Sequence, residues 1–279
     1  EGAEGSRPSE TIARDSSIRL RRTRNDNGRD AIEKIGGDEV IHVDTGLGPL
    51  DHHQTGDENT CAAKRSWQYV ATKRTEKSQK LSDHLQKDIE AGDRLMALVC
   101  EIDHFKEVSW PEPVSDRYDI TISRILDGLK LIEQNNDTKI IELGLVLMDA
   151  LYRTFQNKVW AEEEIEKKGV VFKTRFGKGI GVETLNDDVV HLSQRMGYLI
   201  AVRKDPRKGY IRIKASPKGE NHNNIDLTPI YDRLKKLDPQ ATWFLHVSKR
   251  MLLNGTTKNP KMRPTRLRLE EIIEVLKNV

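Results

Sequence analysis

Apolar residues recur at the spacing of one helix face through the first half of the chain, and gather into short β-branched runs in the second. Ala62, Ala63, Trp67 and Val70 predict a helix over 61–71, with a charged break beginning at Thr72, Lys73 and Arg74. Leu85, Ile89, Leu95, Leu98 and Val99 predict one or two helices over 81–103, and Trp110, Pro111, Glu112 and Pro113 are a stop. Helical periodicity resumes over 120–131 and 139–165, the second with Ile140, Leu143, Leu147, Leu151 and Phe155 along one face. Ahead of these, 18–22 alternates like a strand and 31–35 reads as a short helix. Residues 40–43 then read as a short strand, closed by a turn that Gly46, Gly48 and Pro49 enforce.

Beyond Gly169 the character changes. Residues 170–174, 179–184, 199–203, 210–213 and 242–247 predict strands separated by Gly, Asn-Asp and Asp-Pro turns. Helices over 189–196, 227–236 and 269–277 complete an α/β domain spanning 169–279, and the boundary falls at 167–169. Residues 1–17 show neither periodicity and are rich in Gly, Ser, Pro and charge, so disorder or a foreign segment is expected there.

Composition narrows the function classes. With 36% hydrophobic and 33% charged residues, the 279-residue chain has material for real cores and a highly charged surface. No apolar run approaches the roughly 20 residues that span a bilayer. The first 30 residues lack the apolar centre of a signal peptide, so a cytoplasmic protein without a membrane partner is expected. Cys61 and Cys100 are too few for a disulfide framework and lack metal-ligand spacing. The net charge of +3 imposes no global field. Charge is uneven, however: residues 241–279 hold eight Lys and Arg against three Glu, and Arg203, Lys204, Arg207, Lys208, Arg212, Lys214 and Lys218 crowd one segment. Two such stretches in one third of the chain favour an anionic ligand.

The densest chemistry lies between His42 and Gln54. Asp44 follows the predicted 40–43 strand, and Asp51, His52 and His53 follow the glycine turn. Carboxylate oxygens and neutral imidazole suit Mn, Mg, Zn or Fe, whereas a soft thiolate site would need cysteines. One loop cannot enclose a pair of cations. Asp103, an acid closing the apolar run 99–102 beside His104, is a further candidate ligand; Glu101 and His104 are weaker ones. Two metals sharing a carboxylate would activate a trapped water.

A second candidate lies near the C-terminus. His246, Lys249, Arg250, Asn254, Gly255, Thr256, Thr257 and Lys258 combine a side-chain-free backbone, hydroxyls and cations, which suits an oxyanion. The segment lacks the Gly-x-x-x-x-Gly-Lys of a Walker A loop. Trp110 and Trp160 read as helix-packing aromatics more readily than as base-stacking platforms.

Val43-Asp44-Thr45-Gly46 followed by Asp51-His52-His53-Gln54 resembles the DHH phosphoesterase superfamily, which includes family II inorganic pyrophosphatases. With Arg22-Thr23-Arg24-Asn25 ahead and Ile102-Asp103 behind, the pattern is more similar to the melanocyte proliferating gene family, a DHH-related group of metal-dependent hydrolases or 3′–5′ RNA exonucleases. The resemblance implies a two-domain α/β architecture: a central parallel-type sheet within 18–168, a helical connection and a smaller C-terminal α/β domain. It implies that Asp44 bridges two metals, that His52 and Asp103 ligate the second, that His53 faces the scissile phosphate and that Asp51 orients a histidine. It also implies Mn as the cofactor, with Mg or Zn as substitutes, and docking of substrate phosphates on the His246–Lys258 segment. The substrate would be a phosphate compound such as short RNA or a nucleotide. Residues 1–40 do not match the His- and Asp-containing motif that opens these families. Since the sequence begins at Glu1, the expectation is a truncated chain or one lost metal site. The alternative is a non-catalytic phosphate- or nucleotide-binding protein of the same fold.

Overall fold

A computed structural model describes residues 34–35, 37–78, 82–217, 224–256, 259 and 261–278. The expected disorder at 1–17, the strand at 18–22 and most of the 31–35 helix lie outside the described residues. Lys34–Ile35 (β1) is not helical: it pairs antiparallel with Asp38–Glu39 (β2), because Gly37, at φ 95°, turns the chain back on itself. Residues 40–43 form no strand either. Among the described residues they have no partner ladder, and only Val43 makes an isolated parallel bridge, to Leu50. No parallel-type sheet precedes the helices among the described residues.

Four helices follow. The first, α1 (Ala62–Lys77), is longer than expected, since the Thr72–Arg74 break does not occur. Lys and Arg are good helix formers, Thr75 Oγ1 bonds back to the Ala71 carbonyl at 2.8 Å, and Arg74 reaches Asp88 at 3.4 Å. The next, α2 (Asp83–Asp103), is one continuous helix capped by Ser82, whose Oγ accepts from the Leu85 N–H. Gly92 lets α1 cross it closely: a Cβ there would stand 2.0 Å from the Trp67 ring, whose Nε1 donates to Asp93 at 2.8 Å. Then come α3 (Ile122–Ile132) and the 32-residue α4 (Asp137–Lys168), about 48 Å long at 1.5 Å per residue. Tyr152 and Gln156 of α4 bond to the Asp88 carbonyl and carboxylate, tying α4 to α2. The apolar face from Ile140 to Phe155 is only half-buried. Burial becomes complete later, at Val159, Ala161 and Ile165.

The second half is a six-stranded mixed sheet in the order β3-β4-β5-β6-β8-β7. Its strands are β3 (Val170–Thr174), β4 (Gly177–Glu183), β5 (Ile200–Lys204), β6 (Ile211–Ala215), β7 (Trp243–Leu245) and β8 (Met251–Asn254). Only β4 and β5 are parallel, joined through α5 (Asp188–Arg195); the other pairings are antiparallel. The strand β8 was not expected from the sequence. One face carries Ile200, Val202 and Ile213 against α6 (Thr228–Leu237) and α7 (Leu269–Lys277). The other carries Ile180, Val182 and Ala201 against α5 and the end of α4. Strand β5 is buried on both faces, which is why it is apolar without alternation. The chain is thus mixed α/β, with seven helices among the described residues. Within those residues no helix is long and apolar enough to cross a membrane.

Candidate functional site

The loop between β2 and α1 is shaped by backbone that few residues tolerate. Asp44, Gly46 and Leu47 all have positive φ (60°, 78° and 55°), and the Asp44 N–H bonds to the Leu50 carbonyl at 3.3 Å. The glycine turn expected from the sequence is therefore present. It delivers Asp51 into the interior, where the residue is 1% exposed. Burial pushes the Asp51 carboxyl up. The His53 backbone N–H (3.1 Å), the His53 ring (Nδ1 at 2.6 Å) and the Leu47 N–H (2.9 Å) outweigh it and hold the group at about 2. The hydrogen bond that the His53 ring donates to Asp51 raises the imidazole in turn, against partial desolvation and with help from the charges of Asp51, Asp44 and Asp103. With Nδ1–H given to Asp51, Nε2 of His53 faces outward as the free position of the ring. Arg65 of α1 donates to the Asp51 carbonyl and, through Nε, to Thr60 Oγ1 at 3.3 Å, fixing the loop from below.

His52 is the centre of the cluster. Its Nε2 lies 3.1 Å from Asp103 Oδ2 and its Nδ1 3.4 Å from Asp44 Oδ1, while its ring stacks on His53 at 4.5 Å. The Nδ1 atom is buried and makes no hydrogen bond; the Asp44 contact lacks the geometry of one. A neutral imidazole has one N–H and one lone pair. Both nitrogens face carboxylates here, so one contact sets lone pair against lone pair unless a second proton or a cation intervenes. Ligand atoms sharing one cation at bond lengths near 2.1 Å sit about 3.0–3.4 Å apart, and these spacings fit. Two groups of acidic and imidazole side chains could accordingly hold a metal ion: Asp44, Asp51, His52 and His53, and His52, Asp103 and His104, each with ligand atoms within 4.8 Å of one another. Asp103 closes α2 at 39% exposure, and His104, its C-cap, donates from Nε2 to the Thr60 carbonyl at 2.8 Å, leaving Nδ1 as the lone-pair nitrogen. Glu101 is not among these groups and instead accepts from Trp110 Nε1 at 3.1 Å.

The structure thus brings Asp44, Asp51, His52, His53 and Asp103 into one place. It divides the C-terminal candidates. His246 and Arg250 line a groove of about 560 Å³ together with His191, Arg195, Lys214 and Ser248, and no described lining residue is acidic. The Ser248 N–H donates to His246 Nδ1 at 3.1 Å and Ser248 Oγ lies 2.8 Å away, which leaves the ring hydrogen on Nε2. Lys249, at φ 57°, turns aside to pair with Asp226 at 3.1 Å. Asn254 is fully buried and spends its amide inside the fold. Nδ2 donates to the Thr242 and Arg263 carbonyls (2.9 and 3.0 Å), and Oδ1 accepts from the Thr265 N–H at 2.6 Å. Gly255, at φ 81°, lies under the Tyr210 ring, where a Cβ would come within 2.0 Å. Thr256 bridges to Asn259 through the backbone, and Thr257 and Lys258 lie outside the described residues.

The basic run at 203–218 divides as well. Arg203 is buried and structural, donating to the Thr184 and Leu185 carbonyls and pairing with Asp187 and Asp205. Arg212 also pairs with Asp187, whereas Lys214 faces the groove. Of the residues not anticipated from the sequence, His191 and Arg195 sit one turn apart on α5. Their i, i+4 spacing was the available signal. The chain matches no protein-family model and no curated relative.

Proposed function

We propose that this chain is a metal-dependent phosphoesterase acting on the end of a short single-stranded nucleic acid. The DHH-type resemblance adds a 3′–5′ polarity and a two-domain arrangement, to which the change of residue pattern adds a division at 167–169 and the two cysteines a cytoplasmic setting. The observation that carries the reading is His52, whose two ring nitrogens both face carboxylates, at 3.1 and 3.4 Å. His52 with Asp103 and His104 on its Nε2 side, or with Asp44 on its Nδ1 side, would hold an ion, for which Mn is the first choice and Mg or Zn the substitutes. When bound, the ion supplies Lewis-acid activation of water and neutralises charge on the phosphate.

The rest is work for the chain's own groups. Asp51, buried and ionised, fixes the tautomer and direction of His53 through Nδ1. His53, 58% exposed and raised towards its protonated form, then presents an Nε2–H that can bond a phosphate oxygen and pass its proton to the departing alkoxide. The cationic groove holding Arg195, Lys214 and Arg250 suits the substrate's phosphates.

The test is Mn-dependent hydrolysis of short RNA and of a generic phosphodiester, by the chain and by an Asp44→Ala/His52→Ala variant. Activity that vanishes in the variant supports the reading; equal rates in both, or none in either, overturn it. A second reading, a non-catalytic phosphate- or nucleotide-binding protein, is favoured by the groove, whose cationic lining includes none of the candidate metal ligands. It expects oligonucleotide binding that survives both chelation and the double substitution, with no turnover.

A further inference from the structure

The two cysteines are far apart in sequence but meet in the fold. Cys61, the N-cap of α1, is 1% exposed, and Cys100, one turn before the end of α2, is 4% exposed. Their sulfurs stand 2.8 Å apart, both as free thiols, with the Cys100 thiol donating to Cys61 Sγ. Cys61 Sγ also accepts the Lys64 N–H at 3.4 Å. Nothing in the proposed hydrolytic chemistry uses either sulfur. Two buried thiols in contact place two oxidisable sulfurs at one point of the fold, a chemistry that small apolar residues filling the same space would not supply.

We infer that Cys61 and Cys100 are a redox-modification site, a dithiol that closes to a disulfide on exposure to a peroxide and thereby staples the loop at 51–61 to the end of α2. The step balances. Cys61 sulfur attacks a peroxide oxygen, the O–O bond breaks, an alcohol or water leaves, and a sulfenic acid forms. Cys100 sulfur then attacks Cys61 sulfur; the S–O bond breaks, the thiol proton departs with the hydroxyl as water, and the S–S bond forms. The peroxide is reduced by two electrons and the two thiols are oxidised by one each.

The place of the bond gives it a consequence. Thr60, next to Cys61, accepts the His104 Nε2–H, and Asp103 with His104 follows Cys100 by a single helical turn. The loop and helix that meet at His52 and Asp103 are therefore joined only by non-covalent contacts in the dithiol form, and by a covalent bond beside them in the disulfide form. Burial pushes the Cys100 thiol up to about 12, with the hydrogen bond to Cys61 adding to it. Burial of both sulfurs closes the pair to bulky reagents while the loop stays in place, and Cys100, which keeps its proton, leaves the first attack to Cys61.

The test treats the whole chain with hydrogen peroxide, removes the excess, unfolds it and alkylates the remaining thiols before intact-mass measurement. The expected result is a monomer that has lost two hydrogens and takes up no alkyl group, restored to two adducts by prior reduction with a thiol reagent. The thermal midpoint of the oxidised form should rise by roughly 5 °C, because the bond closes a span of 39 residues in the unfolded chain. Two adducts after peroxide, oxygen added to either sulfur, a disulfide-linked dimer or an unchanged midpoint would each overturn the inference. Cys61→Ser keeps a capping oxygen and serves as the control: it must show no midpoint change on oxidation. Because every readout is mass or stability, the outcome is independent of whether the chain hydrolyses phosphate esters.

Discussion

His52 Nε2 lies 3.1 Å from Asp103 Oδ2, so a histidine of the loop and the last residue of α2 meet face to face. Neither group needs the other for folding, since Asp103 is 39% exposed and an exposed ion pair contributes little. Asp103→Asn is therefore expected to leave the thermal midpoint within a few degrees of the parent. Its Mn(II) affinity, measured by calorimetry, should fall at least tenfold. Equal affinity in parent and variant would remove Asp103 from the ligand set.

The Asp51–His53 pair should be visible in the pH dependence of stability. Asp51 is held at about 2, below its ordinary 3.8, so its contribution is present above 3.8 and is lost as pH falls through about 2. His53 is raised above 6.5, so its contribution is present below 6.5 and is lost as pH rises through the higher folded value. Urea midpoints of the parent and of Asp51→Asn, taken in chelator, should differ most between 3.8 and 6.5, converge as pH falls towards 2, and narrow without closing as pH rises past the His53 value. A constant gap across that range would mean that Asp51 acts through packing alone. Within the window the cost of Asp51→Asn is about 1–3 kcal/mol, as for a buried acceptor whose donors lose their partner.

Gly92→Ala sets a methyl against the Trp67 ring at 2.0 Å, between two packed helices that have little room to part. Destabilisation of about 1–3 kcal/mol is expected. Trp67 fluorescence and chemical denaturation together would report it, and a neutral outcome would show that α1 can slide along α2.

Arg250 and Asn254 separate binding from structure within one short strand and its turn. Arg250→Ala should lower affinity for a short oligonucleotide several-fold and flatten its salt dependence, with stability unchanged. Asn254→Ala should cost about 2–4 kcal/mol, because two carbonyls and one N–H lose their partner in the interior. Fluorescence anisotropy and thermal denaturation of both variants check this, and the reverse pattern would place the anion site on Asn254.

How far the fold was legible followed from how local each signal was. Strand β3 and helix α7 match their sequence-based bounds, since their apolar periods are carried by consecutive residues. The loop chemistry was legible for the same reason: Asp44, Asp51, His52 and His53 are close in sequence as well as in space. Strand β8 was hidden because Met251–Asn254 is short and lies between a basic turn and a glycine; only its pairing with β6 and β7 makes it a strand. The 40–43 strand failed for the opposite reason, as an apolar run needs a partner ladder that the pattern cannot supply. Arg65 carried no signal, because a guanidinium that reaches a carbonyl 14 residues back looks like any surface arginine of a helix. Asn254 read as an oxyanion ligand because polarity alone does not tell which way an amide is spent.

The last turns of α4 form a wall of the sheet's second core, where Ala161 and Ile165 cover Ile180 and Val182. A chain cut at Gly169, where helix gives way to strand, would leave those strand residues bare to water. The sheet is therefore not a portable module that begins at its first strand. A fragment meant to keep this second core closed has to begin upstream of β3, so that Ala161 and Ile165 stay with Ile180 and Val182.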